Sequence, residues 1–435
     1  MSLALRARIL HFLDEPATAG DAAIEYHEDG LLWVEGGRIR AVGSHADLRP
    51  ALPRDVSLCS YPNHLIVPGF IDAHLHYPQM EMIAAWGERL LDWLESYTFP
   101  TESRFGDADH AAMVAQQFVD ELLRNGTTTA AVFCSVHPQS VDALFNEARA
   151  RSMRLIAGKV LMDRNVPEAL RDTADGGIEA SRALIERWHG VDRLGYAVTP
   201  RFAPTSTPRQ LEGAGQLLAD HPGIHMQTHI AETRREVAWV RELFPEAAGY
   251  ADVYRRFGLL GPRSLLGHGI HLDDAEREMI AAHGAAIVHC PTSNLFLGSG
   301  LFPLRQVRAG GIGVALGTDV GAGTSFSLLQ TMNEAYKVQQ LLGEPLAAEE
   351  AWYLATLGGA RALHLDDVIG SLQPGQEADF LVLDLGATDL LRFRLQYCRT
   401  LSEMLFVLIM LGDDRLVEET WLLGRLAWAR DEGFY

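Results

Sequence analysis

Eight short runs of apolar and β-branched residues, each followed by an amphipathic stretch with helical spacing, leave this chain little freedom in its fold. The runs lie at residues 65–71, 127–133, 154–161, 194–198, 224–228, 264–267, 285–288 and 312–317. Helix-like stretches separate them at 108–124, 141–151, 178–188, 208–220 and 275–282. Parallel strands need a crossover between them, and a helix is the usual one. Eight such units in succession predict an α/β fold, a (β/α)8 barrel of the TIM type closed by parallel strands.

The two ends of the chain follow another pattern. Leu5, Ala7 and Ile9 alternate with Arg6 and Arg8, as in a half-buried strand. Asp29-Gly30 and Gly36-Gly37 each stand between apolar runs and read as hairpin turns. After the eighth run, 326–342 and 347–362 read as helices and 378–383 as a strand, and the tail from 421 to 429 is strand-like again. The spacing predicts a barrel over 65–365 and a small composite β-sandwich built from 1–64 and 366–435. There is no internal repeat, low-complexity stretch or long linker.

Acidic residues outnumber basic ones, 57 to 37, for a net charge of −20. Such a surface does not suit nucleic acid or an anionic membrane. No stretch approaches the ~20 apolar residues that span a bilayer; the run 404–411 is short and reads as part of a buried helix. Asp14, Glu15 and Pro16 cut short the N-terminal apolar stretch before it can act as a secretory signal. Cys59, Cys134, Cys290 and Cys398 are too widely spaced for a C-x-x-C site, which suits free thiols in a reducing cytoplasm.

The chemistry collects where the apolar runs stop. The first run leads into Asp72-Ala73-His74-Leu75-His76, and residues two apart on a strand point the same way. His229 follows the fifth run, His268 the sixth and Asp319 the eighth. A lone histidine at such a place is more often a hydrogen-bonded core residue. Four histidines and an aspartate on the catalytic rim of one barrel point instead to a metal site. Imidazole and carboxylate donors suit zinc first, with iron, manganese and cobalt open as alternatives. Glu232, three residues beyond His229, is placed to carry protons, and Asp72 to orient a ligand imidazole. The segment 86–105, carrying Trp93, Tyr97 and Phe99, reads as a lid.

These residues resemble the amidohydrolase superfamily, and within it the guanine deaminases. The likeness runs through Pro68-Gly69-Phe70-Ile71-Asp72-Ala73-His74-Leu75-His76-Tyr77-Pro78-Gln79 and Thr199-Pro200-Arg201-Phe202-Ala203-Pro204. It continues in Cys290-Pro291-Thr292-Ser293-Asn294 and Gly317-Thr318-Asp319. The resemblance implies one zinc ion per subunit on His74, His76, His229 and Asp319. It implies Glu232, His268 and Asp319 as catalytic groups, and Gln79, Arg201, Phe202, His229 and Glu232 around the purine. It further implies hydrolytic deamination of guanine in a cytoplasmic homodimer of purine catabolism. Deamination or dechlorination of another purine, pterin or triazine ring is the alternative. Lys159, on the third run, stays outside the proposed metal set.

Overall fold

Nothing polar interrupts residues 65–71, yet that run is two strands in two different sheets. The computed structural model describes residues 2–87 and 90–434. The chain opens with β1 (Ser2–Phe12), β2 (Ile24–Glu35), β3 (Arg38–Ser44) and β4 (Ser57–Pro68). The barrel begins only at β5 (Phe70–His76) and continues through β6 (Thr127–Phe133), β7 (Arg154–Gly158), the short β8 (Val160–Leu161), β9 (Leu194–Pro200), β10 (His225–Ile230), β11 (Ser264–His268), β12 (Ala286–His289) and β13 (Gly313–Leu316). Then β14 (Phe380–Asp384), β15 (Val417–Leu422), β16 (Arg425–Ala429) and β17 (Gly433–Phe434) return to the first sheet.

Gly69 marks the break. A side chain there would run into Thr128, whose Oγ1 would lie 2.0 Å from the added Cβ. Hydropathy gives no sign of the break because both faces of the outer sheet are buried. Ile66, Phe380 and Val382 pack with Leu5 and Ile9 in that sheet's own core. Their neighbours Leu65, Val67, Leu381 and Leu383 face the other way, into the main core shared with the barrel helices. Each such buried side chain contributes roughly 1.5–3 kcal/mol.

Within the barrel the strands follow one another in chain order, and every pairing is parallel. The run 154–161 is divided at Lys159, with β8 pairing onto the end of β9. The seam between β13 and β5 is closed by residues just past β13. Asp319 N–H donates to His74 O at 2.8 Å, and His76 N–H donates to Val320 O at 2.7 Å. The helices fall where the apolar spacing puts them, as at Ala108–Arg124 and Pro208–Asp220, capped by Asp107 and Thr207. The stretch 347–362 breaks at Thr356 into Ala348–Ala355 and Leu357–Ala362.

As expected, the two chain ends come together in one β-unit beside the barrel, an eight-stranded hydrogen-bonded sheet ordered β17-β16-β15-β14-β4-β1-β2-β3. One expectation within it needs correcting. Asp29-Gly30 is no hairpin turn. It lies inside β2, where the register against β1 shifts between Ala7 and Ile9. Gly30 lets Ile9 pack close, since a Cβ there would sit 2.7 Å from Ile9 Cγ1. Gly36-Gly37 does make the turn into β3, at φ of 61° and 82°.

A buried ion cluster joins barrel to outer sheet at the end away from the strand C-termini. Arg193, just before β9, pairs with Asp379 and, at 2.8 Å, with Glu377, which also takes Arg154 at 2.8 Å. Removing one member strands the others without their counter-charge. Arg193→Ala is therefore expected to destabilise the protein by about 3–5 kcal/mol, read as a lower urea midpoint. Turnover per folded molecule should be unchanged.

Candidate active site

β5, β10, β11 and the turn after β13 bring all five rim residues to one place. His74 and His76 project from alternate positions of β5, His229 from β10, His268 from the end of β11 and Asp319 from the turn. Room for His74 is made by two glycines. A Cβ at Gly267 would lie 2.7 Å from His74 Cε1, and one at Gly317 would lie 2.8 Å from His74 Cβ. Ala231, His268 and Asp319 have φ of 48°, 71° and 52°. That left-handed backbone costs roughly 1–2 kcal/mol per residue, and here it turns the strand ends inward.

The donor atoms converge. His76 Nε2 lies 3.1 Å from His229 Nε2. Asp319 Oδ1 is 3.3 Å from both His74 Nε2 and His76 Nε2. His229 Nδ1–H donates to Arg201 O at 2.7 Å, so its Nε2 carries a lone pair into the site. His268 is fixed in the same way through Nδ1 to Asn294 Oδ1, at 2.9 Å. His74 Nε2 is buried with no hydrogen-bond partner. One donor atom each from His74, His229, His268 and Asp319 can be found within 4.8 Å of one another. This group has His268 where the sequence reading placed His76, though His76 touches two of its members, His229 and Asp319. Imidazole nitrogens gathered this closely around one carboxylate fit a divalent cation.

Electrostatics agree with that chemistry. Burial pushes His74 down to about 4 and also lowers His76 and His229, which keeps these imidazoles neutral. Burial alone would raise Asp319, but His74, His76 and His268 outweigh it and hold the carboxyl well below its usual range. Glu232 is raised by burial, with the Asp319 charge adding to the effect. His268 is raised too, because the charges of Glu232 and Asp319 overcome its burial.

Glu232 reaches over the imidazoles as expected. Its Oε2 stands 3.5 Å from His268 Nε2, and its Oε1 accepts from Ser299 Oγ at 2.7 Å. Glu236, absent from the sequence reading, braces it. Glu236 Oε2 accepts the Glu232 N–H at 2.9 Å, and its Oε1 accepts from Tyr250 Oη at 2.7 Å. The Thr233-to-Glu236 capping box is the signal that could have revealed it. Asp72 touches no imidazole ring. It accepts the N–H of His74 at 3.3 Å and of Thr318 at 3.0 Å, together with the Thr318 hydroxyl, and so pins the barrel seam.

A narrow pocket opens over the cluster, lined by His76, His229, Glu232, His268 and Asp319 at its base. Gln79, Arg201 and Phe202 line it, with Trp93 and Leu94 of the covering segment above. Phe99 instead packs under Arg201, 5.8 Å from its guanidinium, and Tyr97 is partly exposed. Glu88 and Arg89 of that segment lie outside the described residues. Lys159 is buried away from the cluster, 2.5 Å from Asp172. Behind the pocket wall stands a carboxylate the sequence reading passed over, Glu102, which accepts from both Gln79 and Arg201.

Residues 65–426 match the Amidohydrolase family. The chain belongs to the amidohydrolase family. This amidohydrolase is 49% identical to the guanine deaminase of Escherichia coli K12 over 410 residues, 94% of this chain and 93% of that protein. A solved E. coli guanine deaminase superposes with a TM-score of 0.96 at 48% identity, covering 98% of this chain and all of that one (100%). The crystal structure of guanine deaminase from C. acetobutylicum, with guanine bound in its active site, gives a TM-score of 0.89 at 30% identity, over 98% and 100% of the two chains.

The donor cluster predicts a cation content near one per chain by elemental analysis. His229→Ala and Asp319→Ala are each expected to reduce it sharply while the fold, followed by circular dichroism, is kept.

Proposed function

We propose that this amidohydrolase removes the exocyclic amino group of guanine by hydrolysis, giving xanthine and ammonia. The observation that carries the reading is the pocket. Hydrogen-bond donors on Gln79 and Arg201 form one wall, and the strand-end imidazoles with Glu232 form its floor. Guanine offers a carbonyl oxygen and a ring nitrogen as neighbouring acceptors along one edge. The identity to E. coli guanine deaminase supports the same choice of ring.

We assign one zinc ion per chain to His74, His76, His229 and Asp319, three neutral imidazoles and an ionised carboxylate being a donor set that zinc accepts. The chemistry zinc supplies when bound is to bring the pKa of water from 15.7 to about 7. The chain's own residues do the rest. Arg201 and Gln79 hold the acceptor edge of guanine, and Phe202 gives a flat contact. The amino-bearing carbon then lies over His229 and Glu232. Glu232, its carboxyl raised by burial, gives a proton to the ring nitrogen beside that carbon as the water oxygen adds. Asp319 takes the proton that water releases, and His268 stabilises the added oxygen. Asp319 returns its proton to the amino group while the added hydroxyl gives its own to Glu232, so the carbon–nitrogen bond breaks, the ring carbonyl forms and ammonia leaves.

Ammonia release should be rapid from guanine and far slower from adenine or cytosine. Glu232→Gln is expected to keep its cation while kcat falls by about 10²–10⁴-fold. Near-normal turnover in that variant, or a preference for another ring, would refute the reading.

We further assign a cytoplasmic homodimer. Support comes from free cysteines and from the apolar surface around the helix Asp389–Leu395, where Leu390, Phe393 and Tyr397 are exposed. Among the described residues no helix is long and apolar enough to cross a membrane. Light scattering should give twice the chain mass, and Phe393→Asp should reduce it to one; a monomeric parent protein would remove the dimer assignment.

A further inference from the structure

We propose that Glu102 is a positioning residue that decides which rings the pocket accepts, by neutralising Arg201 and fixing the direction of the Gln79 amide. The inference rests on the guanine reading above and extends it to a residue outside the pocket lining.

Glu102 ends the helix Phe99–Glu102 in the covering segment, and it is 1% exposed. Its Oε1 accepts from Gln79 Nε2 at 3.0 Å and from Arg201 Nη1 at 3.0 Å, and its Oε2 accepts from Arg201 Nη1 at 2.8 Å. Gln79 and Arg201 are themselves buried and line the pocket. An ionised carboxylate can only accept hydrogen bonds, so both neighbours are obliged to donate to it. Gln79 Oε1 is held from the other side by the Gly321 N–H at 3.3 Å. Flipping the amide would set its oxygen against the carboxylate and its NH2 against an N–H. The amide is thereby locked, and the groups left for a ring to meet are the second Nε2 hydrogen and the unused guanidinium N–H groups.

A wall made only of donors selects an acceptor edge. Guanine presents O6 and N7 there, whereas adenine presents N7 beside an amino donor. In a site closed to water, donor against donor leaves both groups unpaired, which is the basis of strong discrimination. Charge is the second effect. Arg201 and Glu102 cancel, so the wall is neutral. Without Glu102 the guanidinium would stand unpaired in a buried wall and attract anions. Xanthine, the product, loses a ring proton near neutral pH and becomes such an anion. Neutralisation by Glu102 therefore favours the neutral substrate and lets the product go. Arg201 also accepts at its carbonyl from His229 Nδ1–H, at 2.7 Å, so the residue Glu102 steadies is tied to the metal cluster as well.

The test uses the metal-loaded protein and three variants: Glu102→Gln, Glu102→Asp and the pair Glu102→Gln with Arg201→Gln. In Glu102→Gln the KM for guanine should rise about tenfold or more, as expected for losing a charged hydrogen bond, with kcat falling less. Its preference for guanine over adenine should shrink. Xanthine inhibition, followed across the pH at which xanthine ionises, should tighten with ionisation in this variant and not in the parent. Glu102→Asp keeps the charge, so it should raise KM but retain the parental xanthine profile. The paired variant removes the cation and should lose the preference for the anion. His76, His229, His268, Glu232, Glu236 and Asp319, the other titratable groups facing the pocket, are common to all. Differences between variants therefore report on the Arg201–Glu102 pair.

A Glu102→Gln protein with parental KM and parental xanthine profile overturns the proposal. Should that variant not fold, Glu102→Asp decides: a raised KM with an unchanged xanthine profile supports the proposal, and a parental KM overturns it. Guanine turnover by the parent protein tests the functional reading on its own. If the parent fails there, calorimetric binding of xanthine across the series still decides the role of Glu102.

Discussion

Closure of the barrel is the constraint on which the site depends. β13 and β5 are joined by main-chain bonds from Asp319 and His76, residues that also belong to the donor cluster. The seam of the fold and the centre of the chemistry are thus the same few residues. Asp72 fastens this seam by holding Thr318 and the His74 N–H. Its carboxyl, raised to about 7 by burial, keeps three donors around it. Any loosening of this closure would separate His74 from Asp319, since they come from opposite ends of the barrel's chain order.

Holding such a site together has a cost that the rest of the molecule offsets. Three non-glycine residues adopt left-handed backbone at the rim. Among the buried imidazoles, His74 Nε2 and His76 Nδ1 have no hydrogen-bond partner. Unpaired buried polar groups of this kind are normally destabilising. The surrounding packing carries the burden. Phe133 lies against His74, His76 and His229, and the helices outside the barrel share one extensive apolar core. A rigid shell of this sort lets the donor atoms be placed for a cation and a ring before either arrives.

The pocket wall obeys a related rule. Gln79, Arg201 and Phe202 line the pocket, but what holds the first two in place lies one layer further out. Glu102 behind the wall and Glu236 beside Glu232 are both buried carboxylates that accept hydrogen bonds from main chain or side chains of the pocket residues. Positions of this kind determine polarity and angle, which a change of a few tenths of an ångström would spoil.

Much was legible in the sequence because periodicity and strand-end position are local properties. The eight-unit alternation, the helices at Ala108–Arg124 and Pro208–Asp220, and the placement of His74, His76, His229, His268 and Asp319 at strand ends all follow from the order of side chains along short segments. Residues 65–71 were misread because burial on both faces erases the alternation that would have revealed two strands. Asp29-Gly30 was misread because a glycine required for close packing carries the same letters as one required for a turn. Glu102 and the true partners of Asp72 could not be found at all. Their significance lies in contacts such as Glu102 with Arg201, 99 positions apart, and Asp72 with Thr318, 246 positions apart. The sequence by itself determined the architecture and the residue types able to bind a cation, through local pattern. Only the tertiary structure decided which carboxylates are buried, what they hold and which way the pocket's donors point, because burial and hydrogen-bond direction are made by segments that meet only when the barrel closes.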